Sequence, residues 1–235
     1  MVSRLCLCVM AGALAAAAQK EPPVVTPGDA ARAPSDAVVL FNGRDMAGWE
    51  RTDGKPARCT VESAVITCVT GAGDIQTTAK FASAQIHLEF AIPYMPDQKS
   101  QMRGNSGVYL EGRYEMQILD SYQNPTYVVG MLGALYGESA PLVNAARKPN
   151  EWQSYDIVFH AHQCDAGGKV MKKGSVTVLL NGVLVQDHVE IQKIDGGCAP
   201  GPLLLQDHSG FPGAPMTAMK FRNLWYRPLE QEKTR

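Results

Sequence analysis

Five polar side chains with reach and reactivity, Tyr109, Glu111, Arg113, Glu115 and Gln117, alternate with the apolar Val108, Leu110, Tyr114, Met116 and Ile118. Successive side chains of a strand point to opposite faces, so this spacing predicts one apolar face and one face rich in gripping groups. Glu115 and Gln117 share the polar face, and Asp120 joins them only if a bulge or strand end shifts the parity. Carboxylates gathered in a cleft can serve as general acid and base, because burial and mutual repulsion separate their pKa values. A second group follows the apolar Leu203-Leu204-Leu205: Gln206 and His208 share a parity while Asp207 points away. A histidine at a strand end is suited to carry protons near neutral pH. A third group, Gln85, His87 and Glu89, lies on one face of an expected strand. With Glu115 these residues could furnish metal ligands, although no spacing demands an ion. His160 and His162 run into a polar loop and are read as incidental.

Many short strands must position these groups. The chain of 235 residues has 22 Gly and 15 Pro, only 19% charged residues and no long amphipathic helical period. Strand patterns are expected at 37–41, 58–69, 84–92, 104–120, 152–160, 175–188, 203–208 and 219–227, with 121–150 and 163–173 as loops. Asn181-Gly182 suits a type I′ hairpin turn. The fold class expected is all-β, an antiparallel two-sheet sandwich or jelly roll of one domain.

Charge is nearly balanced, 22 basic against 23 acidic residues, without a Lys/Arg run. Nucleic acid and anionic membranes are therefore not expected partners. Arg4, the apolar run from Leu5 to Ala18 and the small residues Ala16-Ala17-Ala18 fit an export signal over 1–18, too short to span a bilayer. Cys6 and Cys8 lack a lipoprotein pattern, so the product is expected to be released to the periplasm or medium. A flexible lead-in over 19–35 and a tail over 230–235 would flank the domain.

Export leaves four cysteines, Cys59, Cys68, Cys164 and Cys198. A hairpin turning at Ser63-Ala64 sets Cys59 opposite Cys68 at a non-hydrogen-bonded pair, where strands approach to about 4.5 Å, within disulfide reach. Cys164 and Cys198 then pair by elimination. No Cys-x-x-Cys spacing suggests a metal centre.

No nucleophile elbow, phosphate loop or dinucleotide fingerprint is present. Several motifs do resemble a known family: Leu40 to Asp45 with Gly48-Trp49, Gly104 to Tyr109, Tyr114 to Tyr122, Asn150-Glu151-Trp152, Leu180 to Val183, Gln206-Asp207-His208 and Phe221 to Trp225. In this order, over 36–229, they resemble the 3-keto-disaccharide hydrolase domain family. The resemblance implies a concanavalin-like jelly roll and cleavage of glycosides oxidised to a ketone at C3. A ketone there acidifies the C2 proton, so a base can form an enolate and the C1–O bond can break by elimination. On that reading Glu115 or His208 is the base, and the other, or Asp120, the acid. Arg113, Gln117 and Gln206 bind hydroxyls or the enolate, and His87, Glu89, Tyr109 and Tyr136 line the groove. The expected partner is a carbohydrate, and no cofactor is required unless a divalent ion assists.

Two other functions compete. Glu115, Gln117 and Asp120 match the Glu-x-Asp-x-x-Glu spacing of laminarinase-like glycosidases but not its chemistry, since an amide replaces one acid. A carbohydrate-binding module would use aromatic platforms. Only three Trp occur, and Trp49 and Trp225 sit in motifs that look structural.

Overall fold

Alternation decides the layers. In the computed structural model, which describes residues 21–29, 32–209, 213 and 215–229, Ile86, Leu88, Phe90, Tyr155, Ile157 and Phe159 are fully buried, as are Val108, Leu110, Met116, Ile118 and Leu203. Each set comes from every second residue of its strands, and the two sets meet as the inner faces of two sheets. Burying such aliphatic and aromatic side chains stabilises the fold by about 1.5–3 kcal/mol each.

Among the described residues fifteen strands form in chain order: β1 (Val38–Val39), β2 (Trp49–Arg51), β3 (Thr60–Glu62), β4 (Val65–Val69), β5 (Ile75–Phe81), β6 (Ala84–Ala91), β7 (Ser106–Leu110), β8 (Tyr114–Ile118), β9 (Trp152–His160), β10 (Gln163–Cys164), β11 (Val170–Lys172), β12 (Ser175–Leu180), β13 (Val183–Glu190), β14 (Gly201–Leu205) and β15 (Ala218–Pro228). One sheet runs β13-β12-β9-β6-β15-β4-β3, with β1 also on β15. The other runs β2-β5-β14-β7-β8, and β10 with β11 makes a small ribbon. All pairings between these strands are antiparallel. The architecture is the two-sheet jelly roll expected from the sequence.

Turn chemistry fixes the registers. Asn181 (φ 54°) and Gly182 (φ 80°) form the hairpin turn between β12 and β13. Ser63 (φ 50°) and Ala64 (φ 60°) adopt the same left-handed conformation. They set Thr60 opposite Thr67 and Val61 opposite Ile66, and Cys59 and Cys68 are bridged with Cα atoms 4.4 Å apart. Cys164 and Cys198 form the second disulfide, with Cα atoms 5.9 Å apart.

The sequence reading missed β2 and β5 and took 163–173 for a loop, where β10 and β11 pair. β5 hides because Thr77 occupies a core position. Its hydroxyl donates to Ala79 O and accepts the amide of Leu203, closing an irregularity in the β5–β14 ladder. Within the expected lead-in, the Ser35 amide donates to Thr26 O and the Ser35 hydroxyl accepts the Thr26 amide. The expected export signal and the tail at 230–235 lie outside the described residues. Among the described residues no helix is long and apolar enough to cross a membrane.

Candidate active site

The segment 104–120 is a hairpin rather than one strand. Glu111 (φ 53°) and Gly112 (φ 67°) turn the chain, and three loop residues separate β7 from β8. An odd loop keeps like parities opposed, so Tyr109 pairs with Glu115 and Gly107 with Gln117 on the outer face of the five-stranded sheet. Tyr109 Oη donates to Glu115 Oε2 at 2.9 Å, and Gln206 Nε2 donates to Tyr109 Oη at 3.1 Å. Gln206 arrives there because its amide extends the β14–β7 ladder, donating to Gly107 O. Its Oε1 is buried and has no hydrogen-bond partner among the described residues, an acceptor suited to a substrate hydroxyl.

Gly107 makes room for the carboxylate: a Cβ there would stand 2.5 Å from Glu115 Oε1. Gln117 closes the floor. Its better amide orientation donates to Ser106 O (2.9 Å) and Glu115 Oε1 (3.2 Å), since the alternative turns its oxygen against both acceptors. Burial pushes the Glu115 carboxyl up to about 7. The Tyr109 hydrogen bond and the Lys193 charge oppose that rise, and Asp74 adds to it. Burial, then the Glu115 charge, raises the Tyr109 phenol. A carboxyl poised near neutrality can both take and return a proton.

Asp74 and Lys193 escaped the sequence reading. Asp207 brings Asp74 in: its carboxylate accepts the amides of Gly71 (2.9 Å) and Gly73 (2.7 Å), while its own amide donates to Asp74 Oδ1 at 2.7 Å. Burial raises the Asp74 carboxyl. His208 follows this clamp on the loop leaving β14. Burial lowers its imidazole, with Asp207 partly offsetting the effect. Beyond β8, Tyr136 donates its backbone amide to Glu115 O, and its hydroxyl lies 2.5 Å from that of Tyr127.

Four expected site residues are used elsewhere. Asp120 turns to Arg103, with Oδ2 2.8 Å from Arg103 Nε, and its Oδ1 accepts the Tyr122 amide. It holds the chain end of β8 and does not join the Glu115 cluster. Arg113 reaches the carbonyls of Gly197 (2.9 Å) and Ala199, fastening that loop. The turn also tucks Glu111 inside, where burial raises its carboxyl to about 7. His87 and Glu89 have the expected parity but belong to β6 in the other sheet, so they face the opposite outer surface. His87 Nδ1 is 2.6 Å from Asp156 Oδ1, its ring stacks on Trp225, and Glu89 pairs with Arg222 at 2.7 Å. A metal shared by His87, Glu89 and Glu115 is therefore ruled out by the sheet topology. Among the described residues no three His, Cys, Asp or Glu side chains gather as ligands.

The site is thus a half-buried carboxylate among hydrogen-bonding side chains on one outer face of a jelly roll, and likeness to known proteins gives the class as glycosyl hydrolase-like. The profile of the 3-keto-alpha-glucoside-1,2-lyase-like domain matches residues 36–227, and the chain belongs to that family. A crystal structure of a candidate glycosyl hydrolase from Parabacteroides distasonis ATCC 8503 is 42% identical, covers 92% of this chain and 95% of its own, and superposes with a TM-score of 0.82. A second candidate glycosyl hydrolase from the same organism, 22% identical over 83% of this chain and 94% of its own, has a TM-score of 0.61 and shares the fold. No curated protein matches the chain.

Proposed function

We propose that the site around Glu115 cleaves glycosides whose sugar carries a ketone at C3, with Glu115 as the base. The observation that carries this reading is the Glu115 carboxyl, held near neutrality by burial and gripped by Tyr109. The family likeness supports the substrate class.

The ketone acidifies C2–H. Glu115 takes that proton, and the C–H electron pair becomes the C2=C3 bond of an enolate with its charge on the C3 oxygen. Once protonated, Glu115 competes less for the Tyr109 hydroxyl, which can then donate to the enolate; Lys193 adds positive charge nearby. Return of the electron pair restores the ketone, forms C1=C2 and expels the C1 oxygen. The proton on Glu115 passes to that oxygen, regenerating the carboxylate. Water added across C1=C2 completes net hydrolysis. His208, driven towards the neutral form by burial, suits accepting a sugar hydroxyl rather than donating to the leaving group.

The test compares aglycone release from a 3-keto-glucoside and from the same glucoside left unoxidised. Wild type is expected to release aglycone only from the keto form, and Glu115→Gln to lower kcat/KM by about 10²–10⁴, the worth of a general base. His208→Ala is expected to lose less. Comparable release from the unoxidised glucoside would point to direct hydrolysis and overturn the proposal. A chelator arm tests whether a divalent ion assists, and the route above predicts no change.

A further inference from the structure

Strand order arranges the polar side chains around Glu115. From β5 through β14, β7 and β8, the side chains met in turn are Asp74, Gln206, Tyr109 and Glu115. All four are polar and all stand on one side. Beyond the β8 edge comes segment 127–137, and there the surface changes character. Tyr127 and Tyr136 are exposed by 48% and 41%. Their rings meet edge to face, 6.3 Å between centroids and 66° between planes. Tyrosine offers an apolar ring with a polar tip and is enriched where proteins bind partners.

The pair is fixed to the strand that carries Glu115. Gln117 N–H donates to Ala134 O and Tyr136 N–H to Glu115 O, so the segment continues the ladder of β8. Gly137 N–H donates to Val129 O, and Gln101 Nε2 bonds Thr126 Oγ1 (2.8 Å) and Gly130 O (2.9 Å). The Tyr127 ring lies directly on Gly130, where a Cβ would come within 2.2 Å of it. That glycine exists, in this geometry, to let the ring lie flat.

We infer that the Tyr127–Tyr136 pair is the seat of the leaving group, and that it selects glycosides whose leaving group is a six-membered ring, sugar or aryl. The inference rests on the proposed elimination. Glu115 marks the boundary: it must face C2, and the bond that breaks is at the adjacent C1. A keto sugar with its hydroxyls on the Asp74–Gln206–Tyr109 side then directs its C1 substituent over the tyrosines. Aromatic faces bind sugar rings and aryl rings by the same contact, so both are accepted, while a methyl group leaves the seat empty.

The experiment compares kcat/KM for phenyl, glucosyl and methyl 3-keto-glucosides in wild type, Tyr127→Leu and Gly130→Ala. Gly130→Ala displaces the ring without removing a phenol. In both variants the phenyl-to-methyl and glucosyl-to-methyl ratios are expected to fall roughly five- to tenfold, mainly through KM. A fall in one ratio alone overturns the claim that the seat accepts both kinds of ring. Unchanged ratios, or equal losses on all three substrates, overturn the seat. If wild type turns over none of them, the elimination reading fails instead. Calorimetric binding of phenyl and methyl glucosides then decides the seat separately, since Tyr127→Leu should weaken only the phenyl compound by a similar factor, and equal affinities in wild type would refute it.

Discussion

Replacing Glu115 by Gln keeps the shape of the side chain and removes its ionisation. Folding raises this carboxyl from 4.5 to about 7, so between those values the folded chain holds a proton that the unfolded chain releases. Stability associated with the group is therefore fully present below pH 4.5 and lost as pH rises through about 7. At about 1.36 kcal/mol per pH unit the rise corresponds to about 3 kcal/mol, and water reaching the group trims this to roughly 2 kcal/mol. A chain of this size moves its Tm by about 2–4 °C per kcal/mol. Glu115→Gln should then melt roughly 4–8 °C above wild type at pH 8 and nearly level with it at pH 4. Glu111, Asp74 and Asp120 are also raised by burial, so the difference between the two proteins, not either curve alone, isolates Glu115. Thermal melts followed by circular dichroism across that range provide the assay. A difference that is constant with pH, or that grows towards acid, would refute the claim that this carboxylate is held ionised at a cost. In wild type, kcat/KM should rise with pH through about 7, as the base ionises.

Gly107→Ala would drive a methyl group to 2.5 Å from Glu115 Oε1; kcat/KM should fall by about 10²-fold with the circular dichroism spectrum retained, because a misplaced reacting group costs about that much. His87→Ala and Glu89→Ala should stay within about twofold of wild-type kcat/KM while lowering Tm, since both lie on the opposite outer face in a satisfied network; a hundredfold kinetic loss would return them to the site. Removing the Cys59–Cys68 bridge by a double Ser substitution should cost about 2–3 kcal/mol in denaturant unfolding, the loop-entropy value for a sequence separation of 9. Asp207→Ala frees the amides of Gly71 and Gly73, and should lower kcat/KM at least tenfold by releasing Asp74 from the site; Asp207→Glu should recover little of it, because the clamp is geometric.

Local rules carried much of the fold. The 59–68 hairpin, the Asn181-Gly182 turn and the alternation in β6, β8, β9 and β15 follow from period and turn residues, and the short even spacing of strands implies a sandwich. What escaped is long-range. His87 and Glu89 show the same alternation as Tyr109 and Glu115, and parity cannot say which sheet a strand joins. Asp74 reads as a turn former in a Gly-rich loop; only the order β5-β14-β7-β8 and the Asp207 clamp bring it beside Tyr109. Asp120 fits a spacing motif, yet the end of β8 turns its carboxylate to Arg103. Arg113 and Glu111 share the right parity but fall in the hairpin loop, where parity no longer fixes direction. Lys193 follows β13, and nothing local links it to β8.

The central claim is that Glu115 removes the proton at C2. A 3-keto-glucoside carrying deuterium at C2 tests it directly, with product followed by mass spectrometry and rates compared with the protiated substrate. The account predicts a primary isotope effect, loss of the deuterium from the sugar product and no such loss with Glu115→Gln. Cleavage at equal rates with the label still on C2 would contradict it.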